Sequence, residues 1–223
     1  MAHFMPELAP ATNAIYFVKA FPGQIVEAFH RLDKQSYVKS SLKTKAFQAS
    51  SLVDAIRRVL PGNERESYYL LIPTDSEWTA FVDVTGRHGP DVNTTPRLVS
   101  EFGNCDVVVA SAVRDTEKAH KLDSSISLAY GSIRFDFYVS GKYMRVIQAA
   151  NSGSSGKWIF YENGEPLSAE CLENYKRRLI KDRFTAENLK QLLKDAFGIR
   201  FFDLDFYRPE KGCLMITKGC RMF

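Results

Sequence analysis

Apolar runs of strand length, separated by very short connectors, restrict what this chain can fold into more than any other feature. Ser67–Pro73 (SYYLLIP) and Glu77–Val84 (EWTAFVDV) stand three residues apart, and Ser125–Val139 is followed by Lys142–Ala150 across Ser140-Gly141. Such connectors join antiparallel neighbours, because a parallel pair needs a crossover of a dozen or more residues. Ile15–Lys19, Cys105–Val113, Trp158–Glu162 and Cys213–Thr217 read as further strands from their β-branched and aromatic content. Gly131 is read as a bulge in the long hairpin, and Asn163-Gly164 as a tight turn ending its strand.

Helical segments punctuate these strands. Gln24–Gln35 places Ile25, Phe29 and Leu32 on one face. Ser51 opens a helix that ends at Pro61-Gly62, and Thr95-Pro96 supplies an N-cap followed by proline at the first helical position. In the C-terminal third, Ser168 is expected to cap a helix running to about Lys181. Thr185 then caps a second, from Ala186 to about Phe197, with Gly198 at its C-terminus. Ser36–Ser50 is polar and basic, and is read as a helix continuation or an exposed loop. The class is therefore α+β: mainly antiparallel sheet with helices packed on one face, and a C-terminal strand–helix–helix–strand unit. The chain reads as one domain over residues 1–223. The polar stretch Arg114–Ser124 is the place where it would divide into subdomains 1–115 and 125–223, and a single continuous sheet is the other reading.

Composition narrows the functional classes. Hydrophobic residues at 45% and charged residues at 25% argue against disorder. A net charge of +4 falls short of the dense basic face of a dedicated nucleic-acid binder, so nucleic acid is not the expected partner. No run approaches the roughly 18–20 apolar residues that span a bilayer. The N-terminal sequence lacks the basic region and apolar core of a signal peptide. Cys105, Cys171, Cys213 and Cys220 form no CxxC pair, so reduced thiols and a cytoplasmic location are expected.

Catalytic patterns are sparse. The four histidines are widely spaced and no zinc pattern occurs, so neither metal nor cofactor is expected. Gly153-Ser154-Ser155-Gly156 lacks the Gly-x-Ser-x-Gly spacing of a nucleophile elbow and reads as a linker. No phosphate-cradling glycine loop is present. One loop brings a histidine between two carboxylates: Asp83, His88 and Asp91 suit a general base or a metal site, against the plainer reading of an exposed loop histidine. Glu162, Glu165, Glu170 and Glu173 form the best local acidic patch. Glu170 and Glu173 would also suit the first turn of a helix, and Glu173 could pair with Arg177 four residues on. Lys176, Arg177, Arg178, Lys181 and Arg183 cluster near that helix end, read mainly as a solvated, partly paired face; Tyr175 and Phe184 read as core anchors.

The C-terminal third carries a resemblance. Trp158-x-Phe160, Gly164-x-Pro166, Glu173-x-Tyr175, Arg178 and Asp182-Arg183-Phe184-Thr185, with Ser76-Glu77-Trp78-Thr79-Ala80 upstream, resemble a family of uncharacterised bacterial proteins. Proteins of this type are similar to the immunity proteins encoded beside polymorphic or contact-dependent toxins. The resemblance implies a cytoplasmic protein that neutralises a cognate toxin by direct binding, and it transfers no catalytic residue. Two rivals stand beside it. One is a small-molecule or nucleotide hydrolase built on Asp83, His88 and Asp91. The other is a structural or regulatory dimer joined through a sheet edge at Ser125–Val139.

Overall fold

The computed structural model describes residues 8–9, 11–35, 40–60, 66–84, 90–126, 128–153 and 156–220. The expected Pro61-Gly62 helix end, His88 and the Ser154-Ser155 pair lie outside the described residues. The strands are β1 (Ala14–Val18), β2 (Ser40–Phe47), β3 (Glu66–Pro73), β4 (Thr79–Asp83), β5 (Asp106–Val113), β6 (Ser132–Val139), β7 (Lys142–Asn151), β8 (Trp158–Gly164) and β9 (Cys213–Cys220). They form one sheet in the order β2-β9-β3-β4-β1-β5-β6-β7-β8. Every neighbouring pair is antiparallel. The class is α+β, with helices α1 (Pro22–Gln35), α2 (Leu52–Arg57), α3 (Thr94–Gly103), α4 (Glu117–Leu122) and α5 (Ala186–Phe197).

This one sheet contains strands from both sides of residues 114–124. β5 pairs β6 from Asp106↔Val139 to Val113↔Ser132, and the C-terminal β9 lies between β2 and β3. The polar stretch between β5 and β6 holds the short helix α4.

Alternation along the strands sorts the core. Ile15 and Phe17 of β1, Val108 and Ala110 of β5, and Phe135 of β6 pack with α2, α5 and the loop residues Phe201 and Phe206. Tyr16 and Val18, Phe81, Val107 and Val109 point the other way and pack with Ile25 and Phe29 of α1 and Val99 of α3. Helices α2 and α5 thus cover one face, and the α1–α3 pair covers the middle of the other. Phe29, Tyr69 and Phe81 meet there with ring centroids 4.9–5.9 Å apart. Burying each such ring contributes on the order of 1.5–3 kcal/mol, which explains why the covered central strands tolerate apolar residues on both sides.

The local signals work as their chemistry requires at α5. The Thr185 hydroxyl accepts from the Asn188 amide at 3.3 Å, and the Asn188 side chain accepts from the Thr185 amide at 3.0 Å. Gly198 terminates the helix at φ +66°. Ser51 caps α2 by accepting from the Asp54 amide at 3.1 Å. The β6–β7 hairpin turns at Ser140 (φ +47°) and Gly141 (φ +81°), the left-handed pair of a two-residue hairpin loop.

Four expectations are corrected. Ser36–Ser50 contains β2, which pairs β9 from Ser40↔Cys220 to Phe47↔Cys213; an edge strand packs on one side only, so its apolar signal is weak. The expected helix from Ser168 to Lys181 is replaced by 3-10 turns at Leu172–Lys176 and Ile180–Asp182. Leu172, Tyr175 and Leu179 have helical spacing, but Arg177 between them is extended at φ −58°, ψ 142°. The irregularity in the long hairpin falls between Phe137 and Tyr138, not at Gly131. β6 begins at Ser132 and is paired on both sides, so Ser125–Val139 is not a sheet edge; the edges are β2 and β8.

Candidate functional site

β7 carries Arg145 on the α5 side of the sheet, and this guanidinium organises the C-terminal surface. Its Nε donates to Glu170 Oε1 at 2.9 Å and its Nη2 to Oε2 at 2.7 Å, a bidentate pair with both side chains fully buried. Nη1 donates to the Gly164 carbonyl at 2.7 Å and also pairs with Glu162. Glu170 further accepts the Leu167 amide at 2.8 Å and the Tyr175 hydroxyl at 2.8 Å. Burial disfavours the charge on Arg145, but the hydrogen bonds to Glu170 and Glu162 outweigh it and hold its pKa above the usual arginine value. Burial, then the Glu170 carboxylate, pushes the Tyr175 phenol up.

The segment after β8 is laid on the sheet by this node. Tyr175 packs on Phe160 with ring centroids 5.0 Å apart, and the Arg183 guanidinium lies 5.8 Å from the same ring. Phe184 is buried, and Tyr175 is partly buried against the core. Of the four glutamates, Glu162, Glu165 and Glu173 reach the surface. Glu170 does not: its carboxylate is the buried partner of Arg145, so the acidic patch is smaller than the sequence suggests. Glu173 pairs with Lys176 at 2.8 Å rather than with Arg177, because a 3-10 turn stacks residues three apart. Arg177 and Arg183 are turned to the backbone, donating to Asp182 O at 3.4 Å and Arg177 O at 2.9 Å. Lys176, Arg178 and Lys181 stay exposed, so the surface mixes both signs and also presents Leu172 and Leu179.

A second polar cluster lies on the α1–α3 side. The structure brings Asp83 and Asp91 together, with the Asp91 amide donating to Asp83 Oδ2 at 3.2 Å. The Asp91 carboxylate accepts the amides of Asn93 (3.0 Å), Thr94 (2.9 Å) and Thr95 (3.1 Å). It therefore caps α3, replacing the expected Thr95 cap; Asn93 at the N-cap position makes no side-chain cap bond. Burial pushes the Asp91 carboxyl up, but these amides win and hold it below the usual range. The Tyr16 hydroxyl donates to the Asp91 carbonyl at 2.7 Å, and burial followed by the charges of Asp83 and Asp91 raises its pKa. Both carboxylates are thus engaged by backbone amides.

Beside this cluster is a pair that sequence reasoning missed. Arg134 Nε donates to Asp136 Oδ1 at 3.0 Å and Oδ2 at 2.8 Å, and Arg134 Nη2 donates to Asn93 Oδ1. Burial lifts the Asp136 carboxyl to about 6, against the lowering pull of Arg134. The signal was present: Arg134 and Asp136 are opposite charges two apart in an otherwise apolar strand, hence on one face. Arg145 gave no local clue to its partner, since Glu170 is 25 residues away.

Among the described residues, no group of three or more His, Cys, Asp or Glu side chains is placed to hold a metal ion. Among them, too, no helix is long and apolar enough to cross a membrane. No family model, curated protein or solved structure matches the chain.

Proposed function

We propose that this chain is a binding protein of immunity type, which neutralises a protein toxin by direct contact through the surface formed by β8 and residues 165–179. The observation that carries this reading is the buried Arg145–Glu170 pair. It fixes an irregular segment to the sheet, so that Glu165, Glu173, Leu172 and Leu179 are displayed on a backbone already ordered before any partner arrives. Pre-organisation of this kind removes the ordering penalty from binding. Exposed apolar residues interleaved with acids and bases give a contact surface both adhesion and charge-coded selectivity.

The mixed charge has a consequence for the partner. Glu162 and Glu173 already have cationic neighbours in Arg145 and Lys176. A partner face that is uniformly basic would meet Arg178 and Lys181 as well as the acids, so the partner surface is itself mixed. Co-expression with the product of an adjacent toxin gene tests the reading. The chain should rescue growth and co-purify with the toxin, and Glu165→Lys combined with Leu172→Asp should abolish both while the protein stays folded. Absence of rescue together with absence of a co-purifying partner would sink the proposal.

A further inference from the structure

We infer that β8 is a dimerisation edge, and that two copies of this chain join there as antiparallel neighbours to make one continuous sheet. The inference does not depend on the proposed function, because it concerns the outward backbone edge of β8 and the face carrying Ile159 and Tyr161, whereas Glu162 and the segment held on Phe160 and Arg145 lie on the other face.

The two ends of the sheet differ in kind. β2, at one end, carries exposed Lys43 and Lys45, side chains that keep an edge strand from pairing with another chain. β8, at the other end, has the sequence WIFYENG, with no lysine and no proline. Its Ile159 and Tyr161 are 51% and 53% exposed on the same side of the strand. The 3-10 turn Ile180–Asp182 packs against both β7 and β8, so it lies over the face rather than outside the edge.

The hydrogen-bond phase of β8 sets how a second strand would dock. Ser152 N donates to Lys157 O at 2.8 Å, which makes 152/157 a hydrogen-bonded pair in the β7–β8 ladder. Counting along the register from Asn151↔Trp158, the residues whose backbone groups face outward are Trp158, Phe160 and Glu162. Among the described residues, none of these three makes a backbone bond outside the ladder.

A twofold axis at Phe160 satisfies all three. Phe160 would bond its own copy and Trp158 would bond the partner's Glu162, about six backbone hydrogen bonds at two per pair. The same register places Ile159 opposite the partner's Tyr161 in the closely spaced, non-hydrogen-bonded position, so each exposed apolar side chain covers another. The interface is self-complementary, as a twofold contact must be. A seam of one short strand is at the small end of stable interfaces, below about 1,200 Å² in total, so the dimer should dissociate on dilution.

Sedimentation velocity of the full chain, from micromolar to near-millimolar concentration, tests this. The mass should rise from one chain toward two, and Tyr161→Lys should weaken the dimer by about tenfold or more through an exposed charge on the edge. Unchanged thermal unfolding of that variant at low concentration shows that the monomer fold is intact. In a Cys171→Ser background, a mixture of Ile159→Cys and Tyr161→Cys proteins should form a covalent dimer faster than either alone. A monomer at every concentration, or a dimer indifferent to Tyr161→Lys, would overturn the inference.

Discussion

Arg145 and Glu170 meet as a bidentate ion pair with no solvent exposure of either side chain, although one belongs to β7 and the other to the irregular segment beyond β8. Removing Arg145 would leave the Glu170 carboxylate buried without its ion partner, and removing Glu170 would leave Arg145 with only the partly exposed Glu162 and the Gly164 carbonyl; breaking a buried pair typically costs about 3–5 kcal/mol. Glu170→Ala is therefore expected to lower stability by that order in denaturant titrations. Arg145→Met with Glu170→Met should lose less than Glu170→Ala alone, since no charge is then stranded. If the double variant is worse than the single one, the pair contributes net stability rather than merely avoiding a penalty.

Gly164 ends β8 in the left-handed region, at φ +87°, under the carbonyl of Met144. A Cβ at this position would run into that backbone oxygen and meet Arg145 Cα at 3.1 Å, and neither can move without shifting β7. Gly164→Ala combines φ strain of about 1–2 kcal/mol with this overlap. A loss of more than about 2 kcal/mol is expected in thermal unfolding. By contrast, Gly23→Ala, in α1 with open space around it, should change stability by less than about 1 kcal/mol.

The contrast between these sites shows what could be read from the chain alone. Short connectors and β-branched runs reveal most of the strands, because burial on the two faces leaves a strong local pattern. Thr185 and Gly198 reveal α5, because caps act within one turn. What stayed hidden depends on distant partners. Residues 168–181 carry helical spacing and good helix formers, yet Glu170 turns inward to Arg145 and the chain follows it out of the helix. β2 was missed because only β9 specifies it, some 170 residues later in the chain and unreadable from Ser40–Phe47 itself. The acidic patch was legible as a string of four glutamates, but which of them reaches solvent is decided by tertiary pairing.

Asp91 caps α3 from outside the helix, its carboxylate accepting three successive backbone amides. Asp91→Ala leaves those amides without it, and a loss of about 1–2 kcal/mol is expected. Asp91→Asn keeps an acceptor oxygen and should lose less. Because the folded-state pKa is held below the unfolded one, this contribution is present above the unfolded carboxylate pKa and fades as pH falls through the folded value. Urea titrations of the wild type and Asp91→Asn should therefore converge in acid. An unchanged difference down to low pH would show that the charge is immaterial and that only the hydrogen-bond geometry matters.

Asp136 should give a pH dependence of the opposite sign. Burial lifts its carboxyl to about 6, and Arg134 only partly offsets that rise. A folded pKa above the unfolded value means that the folded state binds the proton more tightly. The resulting stabilisation is fully present below the unfolded carboxylate pKa and is lost as pH rises through about 6. Asp136→Asn abolishes this titration while keeping an acceptor for Arg134. The stability of the wild type relative to Asp136→Asn should therefore improve on going from neutral pH to about pH 4, below the folded pKa of Asp136. Arg134, at 14% side-chain exposure, remains charged throughout and supplies no competing titration in this window. A relative stability that instead falls on acidification would mean that the Arg134 ion pair outweighs burial at Asp136.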